Sequence, residues 1–184
     1  MCATFNGGNG DVFPGDSYGV TTASGGESMR FGFDFGRNKL TVNARAETAP
    51  VKFRAAFASG RCVLAVNGFY EWTADKRKYY YRAQGGGLLL CGLWRAERDD
   101  DRRRASVQLD IFGLLGEEKT PSAPRDCFAI ITTAANDSVW DAHGRMPLII
   151  DEKRADAWLY DERFARAHLS AAMPMLERVE AAAR

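Results

Sequence analysis

Cys2 stands directly after Met1, and that position decides what chemistry it can do. Methionine removal is favoured when the next side chain is small, so Cys2 is expected to carry a free amine and a thiol on one residue. An α-amine has a reference pKa of about 7.7–8.0, so part of it is neutral near pH 7 and attacks aldehydes. The thiol then closes a five-membered thiazolidine ring at high effective molarity. The aldehyde of an opened abasic deoxyribose is a natural partner for that pair. Position alone does not separate this reading from a chance second-position cysteine.

Three further groups have the right types. Glu71 lies between aromatics in Gly68-Phe69-Tyr70-Glu71-Trp72. A carboxylate is costly to bury unless paired or protonated, and burial raises its pKa, which makes it an acid–base candidate. Plain strand alternation would instead turn it to solvent. His143 heads His143-Gly144-Arg145-Met146-Pro147 and is one of two histidines. The other, His168, is expected on a solvated helix face. A lone histidine is structural or catalytic according to its surroundings; Arg145, two residues on, is a candidate phosphate ligand. In Asn43-Ala44-Arg45-Ala46-Glu47-Thr48, Asn43 or Thr48 suits a helix cap. The functional alternative gives Asn43 a hydrogen bond to the reacting residue and Arg45 a phosphate.

These groups need strands to hold them. Runs rich in β-branched and aromatic residues predict strands at 30–35, 40–43, 61–72, 79–83, 88–94, 107–114 and 127–133. Residues 1–29, rich in Gly, Asn, Asp and Thr, read as turns and short extended pieces. A short helix fits 46–59. The charged run 95–106 reads as a solvated hairpin tip. From Asp151, a candidate cap, Ala155, Trp158, Leu159, Phe164 and Leu169 recur at helical spacing, and Pro174 divides the tail into two helices. Many strands followed by helices over 151–184 make this an α+β chain.

Its 184 residues suit a single domain, 1–184, large enough for a core. No apolar run approaches the roughly 20 residues of a membrane span, and the N-terminus lacks a secretory pattern. The expectation is a cytoplasmic protein with no membrane partner, nucleoid-associated when on DNA. The cysteines Cys2, Cys62, Cys91 and Cys127 are scattered without close-spaced ligand pairs, so reduced thiols and no metal site are expected. The net charge of +1 is uninformative, but its distribution is not. Residues 30–82 hold eleven Lys and Arg against four acids, whereas both flanks are net acidic. A basic middle fits a local groove for phosphates, or merely a solvated face.

The ordered set Met1-Cys2, NARAET, RC followed by GFYEW, Gly92-Leu93-Trp94, IITT-A and H-x-RMP resembles the SRAP (SOS response-associated peptidase) family, over about residues 2–150. The resemblance implies twisted mixed sheets forming a pseudo-barrel with flanking helices. It implies a monomer that binds single-stranded DNA, or a single-strand to double-strand junction, carrying an abasic site. It makes Cys2 the nucleophile that forms a stable thiazolidine crosslink, with Asn43 positioning it and Glu71 and His143 assisting. Arg45 and Arg145 match arginines that grip phosphates; Trp72 and Phe31 are the expected aromatics of the DNA groove. No cofactor is implied. The family's peptidase label attaches to exposure of its own cysteine, and lyase-like chemistry borders on the crosslink. Four features depart from the family pattern: Ala3-Thr4 replaces Gly-Arg, Phe31-Gly32-Phe33 replaces Trp-Gly-Leu, Ala65-Val66-Asn67 lacks the Pro before GFYEW, and no Pro-Val-Ser segment closes the chain.

Two other readings use the same residues. A thiol hydrolase would pair Cys2 with His143 as base on a peptide or amide. A non-covalent single-strand binder would use the aromatics and arginines alone, leaving Glu71 and His143 without a role.

Overall fold

The computed structural model describes residues 4–35, 39–96 and 126–181. The strands are β1 (Phe5–Asn6), β2 (Asp11–Val12), β3 (Ser17–Thr22), β4 (Gly25–Phe31), β5 (Asn43–Arg45), β6 (Arg61–Val66), β7 (Gly68–Trp72), β8 (Lys78–Arg82), β9 (Leu88–Arg95), β10 (Cys127–Ala134), β11 (Arg145–Pro147), β12 (Ile149–Ile150) and β13 (Glu177–Glu180). The helices are α1 (Ala49–Lys52), α2 (Arg54–Ser59), α3 (Ala155–Tyr160) and α4 (Glu162–His168), with a 3-10 turn at Glu152–Arg154. The strand expected at 107–114 and most of the charged run 95–106 lie outside the described residues.

The strands form two sheets. The smaller runs β13-β8-β7-β1-β2. The larger runs β11-β10-β4-β3-β6-β9-β12, with β5 beside β10. Because β10 also pairs with β9, the path β10-β4-β3-β6-β9 returns to its start and closes a ring. This is the α+β architecture expected from the sequence.

The apolar runs of β6, β9 and β10 are nearly continuous because both faces of these strands are covered. One face carries Cys62, Leu64, Leu90, Phe128 and Ile130, packed with Phe5, Phe69 and Tyr81 of the smaller sheet. The other carries Val63, Leu93, Ala129 and Ile131 against Phe57 and Trp158 of the helices. Gly92 of β9 lies between β6 and β10. A Cβ there would meet Cys62 Sγ at 2.8 Å and the Ala129 carbonyl oxygen at 3.1 Å, so a side chain would force β9 and its neighbours apart.

Arg61 ties the helices to the ring. Its side chain donates to the carbonyls of Phe57 (2.6 Å) and Ala58 (3.0 Å) in α2, and of Trp158 (2.6 Å) and Leu159 (3.0 Å) in α3. Carbonyls in a last helical turn have no partner within their helix and attract a cation. One buried guanidinium therefore serves two helix ends. The indole of Trp158 donates to the Cys62 carbonyl at 3.0 Å and fixes α3 on β6.

Several local expectations are corrected. Within the N-terminal region, β3 and β4 form a hairpin in full register from Ser17↔Arg30 to Thr22↔Gly25, longer than the short pieces expected. Residues 61–72 make two strands in different sheets, parted at Asn67. The 151–184 stretch is not helical throughout. The helix break falls at Asp161, whose carboxylate accepts from the backbone of Arg163 (2.8 Å) and Phe164 (3.2 Å), and not at Pro174. Beyond Leu169 the helical spacing ends, and β13 extends the smaller sheet by pairing with β8. His168 is buried, not solvated: Nε2 lies 3.0 Å from the Ile149 carbonyl oxygen and its ring stacks on Phe164. Phe31 is also fully buried, stacked on Phe128 at 5.1 Å, so it is core and not a groove wall. Asp151 does cap its turn, accepting from the Lys153 backbone at 2.9 Å.

Candidate functional site

Glu71 owes its position to strand parity. In β7, Phe69 and Glu71 turn into the protein, and Tyr70 and Trp72 turn outward. Glu71 is 0% exposed, so the buried reading holds over the solvent-facing one. Burial pushes its carboxyl above the ordinary value of 4.5, and the charge of His143 pulls in the opposite direction. A weak electrostatic influence thus links two of the expected site residues, 72 positions apart in sequence.

His143 is oriented by its own loop. Nδ1 lies 3.0 Å from the Arg145 backbone N–H and 3.1 Å from the Arg145 carbonyl oxygen, so this edge of the ring is held by the loop in either tautomer and Nε2 has no part in that contact.

Asn43 lies opposite Ile130 in the parallel pairing of β5 with β10, beside a residue that faces the smaller sheet. Both polar atoms of its side chain are buried, and neither has a hydrogen-bond partner among the described residues. An unmet buried amide costs about 1–3 kcal/mol, so a structural cap is not its role here.

Arg45 is exposed at the end of β5, opposite Thr132. Arg145 also reaches Thr132, donating to its carbonyl, and makes a two-point ion pair with Glu47 at 2.5 and 3.0 Å. That pairing holds the Glu47 carboxyl below its usual range. The two arginines thus converge on one end of β10. Trp72 is exposed on the outward face of β7, with Lys78 Nζ 5.7 Å from its ring centre, so it does not share a face with Glu71.

Cys2 lies outside the described residues. Thr4 does not: its carbonyl accepts from the Tyr70 backbone at 3.1 Å, beside Glu71. Cys62, Cys91 and Cys127 are buried thiols, and burial raises the first two well above the ordinary thiol range. A thiol held protonated is a poor nucleophile.

Sequence reasoning missed Arg178. It enters through β13, opposite Tyr81, where its guanidinium lies 4.8 Å from the Tyr79 ring centre and 3.7 Å from Asp141, two positions before His143 in sequence. No local signal marks it, because its neighbours come from β8 and the loop after β10.

A two-sheet α+β domain with a buried carboxyl, a histidine held by its own loop and an unmet buried amide defines the class of site. Comparison with known proteins then supplies the family: the model described as SOS response associated peptidase (SRAP) matches residues 22–183, and the chain belongs to that family. It is 31% identical over 123 residues to the abasic site processing protein YoqW of Bacillus subtilis, covering 64% of this chain and 47% of that protein. It is 26% identical over 129 residues to the abasic site processing protein YedK of Escherichia coli, covering 66% and 48%. The chain spans about half the length of these relatives. A Bordetella bronchiseptica protein of known crystal structure, 20% identical, shares the fold with a TM-score of 0.71 over 95% of this chain and 88% of that one. A Bacteroides thetaiotaomicron protein, 21% identical, does so with a TM-score of 0.70 over 93% and 77%.

Proposed function

We propose that this protein processes abasic sites in single-stranded DNA, or at a single-strand to double-strand junction, by forming a covalent thiazolidine through Cys2. The observation that carries the reading is the fully buried Glu71 on β7, next to the strand that leads back to Cys2. The Thr4 carbonyl accepts from the Tyr70 backbone beside Glu71, and Thr4 follows Cys2 by two positions in sequence. The relatives named abasic site processing proteins supply the substrate.

The chemistry requires Met1 to be gone, because only then is the Cys2 amine free. That amine adds to the aldehyde carbon of the opened sugar. The Glu71 carboxyl relays protons at this step, giving one to the departing hydroxyl as water leaves and taking one from the nitrogen as the imine forms. The Cys2 sulfur adds to the imine carbon, and the thiol proton ends on the ring nitrogen. One C–N and one C–S bond form, one water is lost, and no oxidant or reductant is needed. The His143 ring stabilises the hydroxyl freed when the sugar opens. The amide of Asn43 takes a hydrogen bond from the reacting residue, Arg45 and Arg145 hold phosphates, and Trp72 stacks on a base. A bare imine would promote β-elimination and strand breakage; closing the ring prevents it, so the protein acts as a shield in the response to DNA damage.

The test is a denaturing gel of Met-processed protein with an oligonucleotide carrying one abasic site, without borohydride. A shifted band that needs both the aldehyde and Cys2, absent with a tetrahydrofuran analogue or Cys2→Ala, is the expected result. No band from protein with a free Cys2 amine sinks the crosslink. Hydrolysis of a peptide or amide in trans would favour the thiol hydrolase instead.

A further inference from the structure

Trp140 is an indole left in water beside His143. It is 61% exposed, whereas Trp158 is fully buried. Covering a large aromatic side chain stabilises a fold by roughly 1.5–3 kcal/mol, so leaving one outside forgoes that gain. Its perch is not a loose tip. The Asn136 carbonyl accepts from the backbone of Val139 (3.0 Å) and Trp140 (2.9 Å), and the Val139 carbonyl accepts from Ala142 (2.9 Å) and His143 (3.1 Å). Val139 and Ala142 face the core. The Asn136 side chain donates to the carbonyls of Met173 (3.1 Å) and Pro174 (2.8 Å), and Ser138 Oγ accepts from the Leu176 backbone at 3.1 Å. This single helical turn is therefore bolted to the C-terminal segment.

The indole lies alongside Gly144, where a Cβ would stand 3.7 Å from its six-membered ring. An exposed aromatic is thus held against the loop that carries His143 and Arg145 on either side of Gly144. Asp137 and Asp141 flank it, and Arg178 meets Asp141 at 3.7 Å. Acidic neighbours disfavour a phosphate at this spot, whereas the flat face of a base carries no such penalty.

We propose that Trp140 is a stacking platform for the nucleobase flanking the lesion, a specificity contact that rests on the single-stranded DNA reading above. A pre-ordered aromatic binds at little entropic cost, and stacking a base on one is worth about 1–3 kcal/mol.

The test uses fluorescence anisotropy with a labelled single strand whose central nucleotide is a tetrahydrofuran residue, so that no crosslink forms. A second strand carries tetrahydrofuran at the central and both flanking positions. Trp140→Ala is expected to weaken binding of the first strand by about 5- to 150-fold, with Trp140→Phe retaining most of the affinity. On the second strand the unaltered protein and Trp140→Ala should bind alike. Equal binding of the first strand by both proteins overturns the platform while leaving DNA binding intact. So does a loss of the same size on both strands. Failure of the unaltered protein to bind either strand overturns the platform and the DNA reading together.

Discussion

Glu71→Gln separates the cost of the site from its use. The substitution keeps shape and removes charge at a position that is 0% exposed. Burial holds the folded carboxyl above its ordinary value of 4.5, so between those two values the folded chain binds more protons than the unfolded one. Stability therefore rises as pH falls through that window and is lost as pH climbs out of it. As pH rises, the cost of holding this carboxyl neutral or of ionising it in the interior grows, and Gln does not share it, whereas below the ordinary value of 4.5 neither side chain is charged in the folded protein. Desolvating a polar group costs about 1–3 kcal/mol in proteins, and that sets the expected stability gain of Glu71→Gln at pH 8, shrinking on acidification. Crosslinking should move the other way, slowing by about 10²–10⁴-fold with the loss of a proton-transfer group. Urea unfolding followed by tryptophan fluorescence at pH 8 and pH 4, with the timed gel assay on the same preparations, measures both. A variant less stable than the parent at pH 8, yet crosslinking at full rate, would refute the reasoning.

Other perturbations probe the frame and the groove. Arg61→Met strands four helix-end carbonyls, and a buried group left unsatisfied costs about 1–3 kcal/mol, so Tm is expected to fall by about 10 °C; a calorimetric shift below 2 °C would remove the cap from the account. Burial lowers the pKa of His168 below its ordinary value of about 6.5, so its contribution is complete above that pH and is lost as pH falls through the folded value. Urea midpoints between pH 7.5 and 5 should accordingly fall less steeply in His168→Gln. Arg145→Gln should reduce the salt dependence of single-strand binding by about 0.7 in the log–log slope for one phosphate lost. In Glu47→Gln, which frees that guanidinium from its two-point pair, binding at low salt should tighten. An unchanged slope would show that Arg145 serves Glu47 and not DNA.

Residue types and spacing determined much by themselves. The GFYEW run proved to be a strand with Glu71 inside, 88–94 and 127–133 proved to be central strands, and the ordered motifs carried the family. These features are local: parity follows from a period of two, and a motif is read in one place. The tertiary structure alone decided which face of each element is covered. Phe31 resembles a groove aromatic in sequence, but it stacks on Phe128 because β4 lies beside β10. His168 sits among charges in sequence, yet α4 turns it against Ile149 and Phe164. Residues 177–180 alternate too weakly to declare a strand, and they become one because β8 offers a free edge. The meeting of Arg145 with Glu47 and of Arg178 with Asp141 depends on how the sheets pair and on β13. Contacts between residues far apart in the chain are set by how sheets pair and pack, and no window of sequence contains that information.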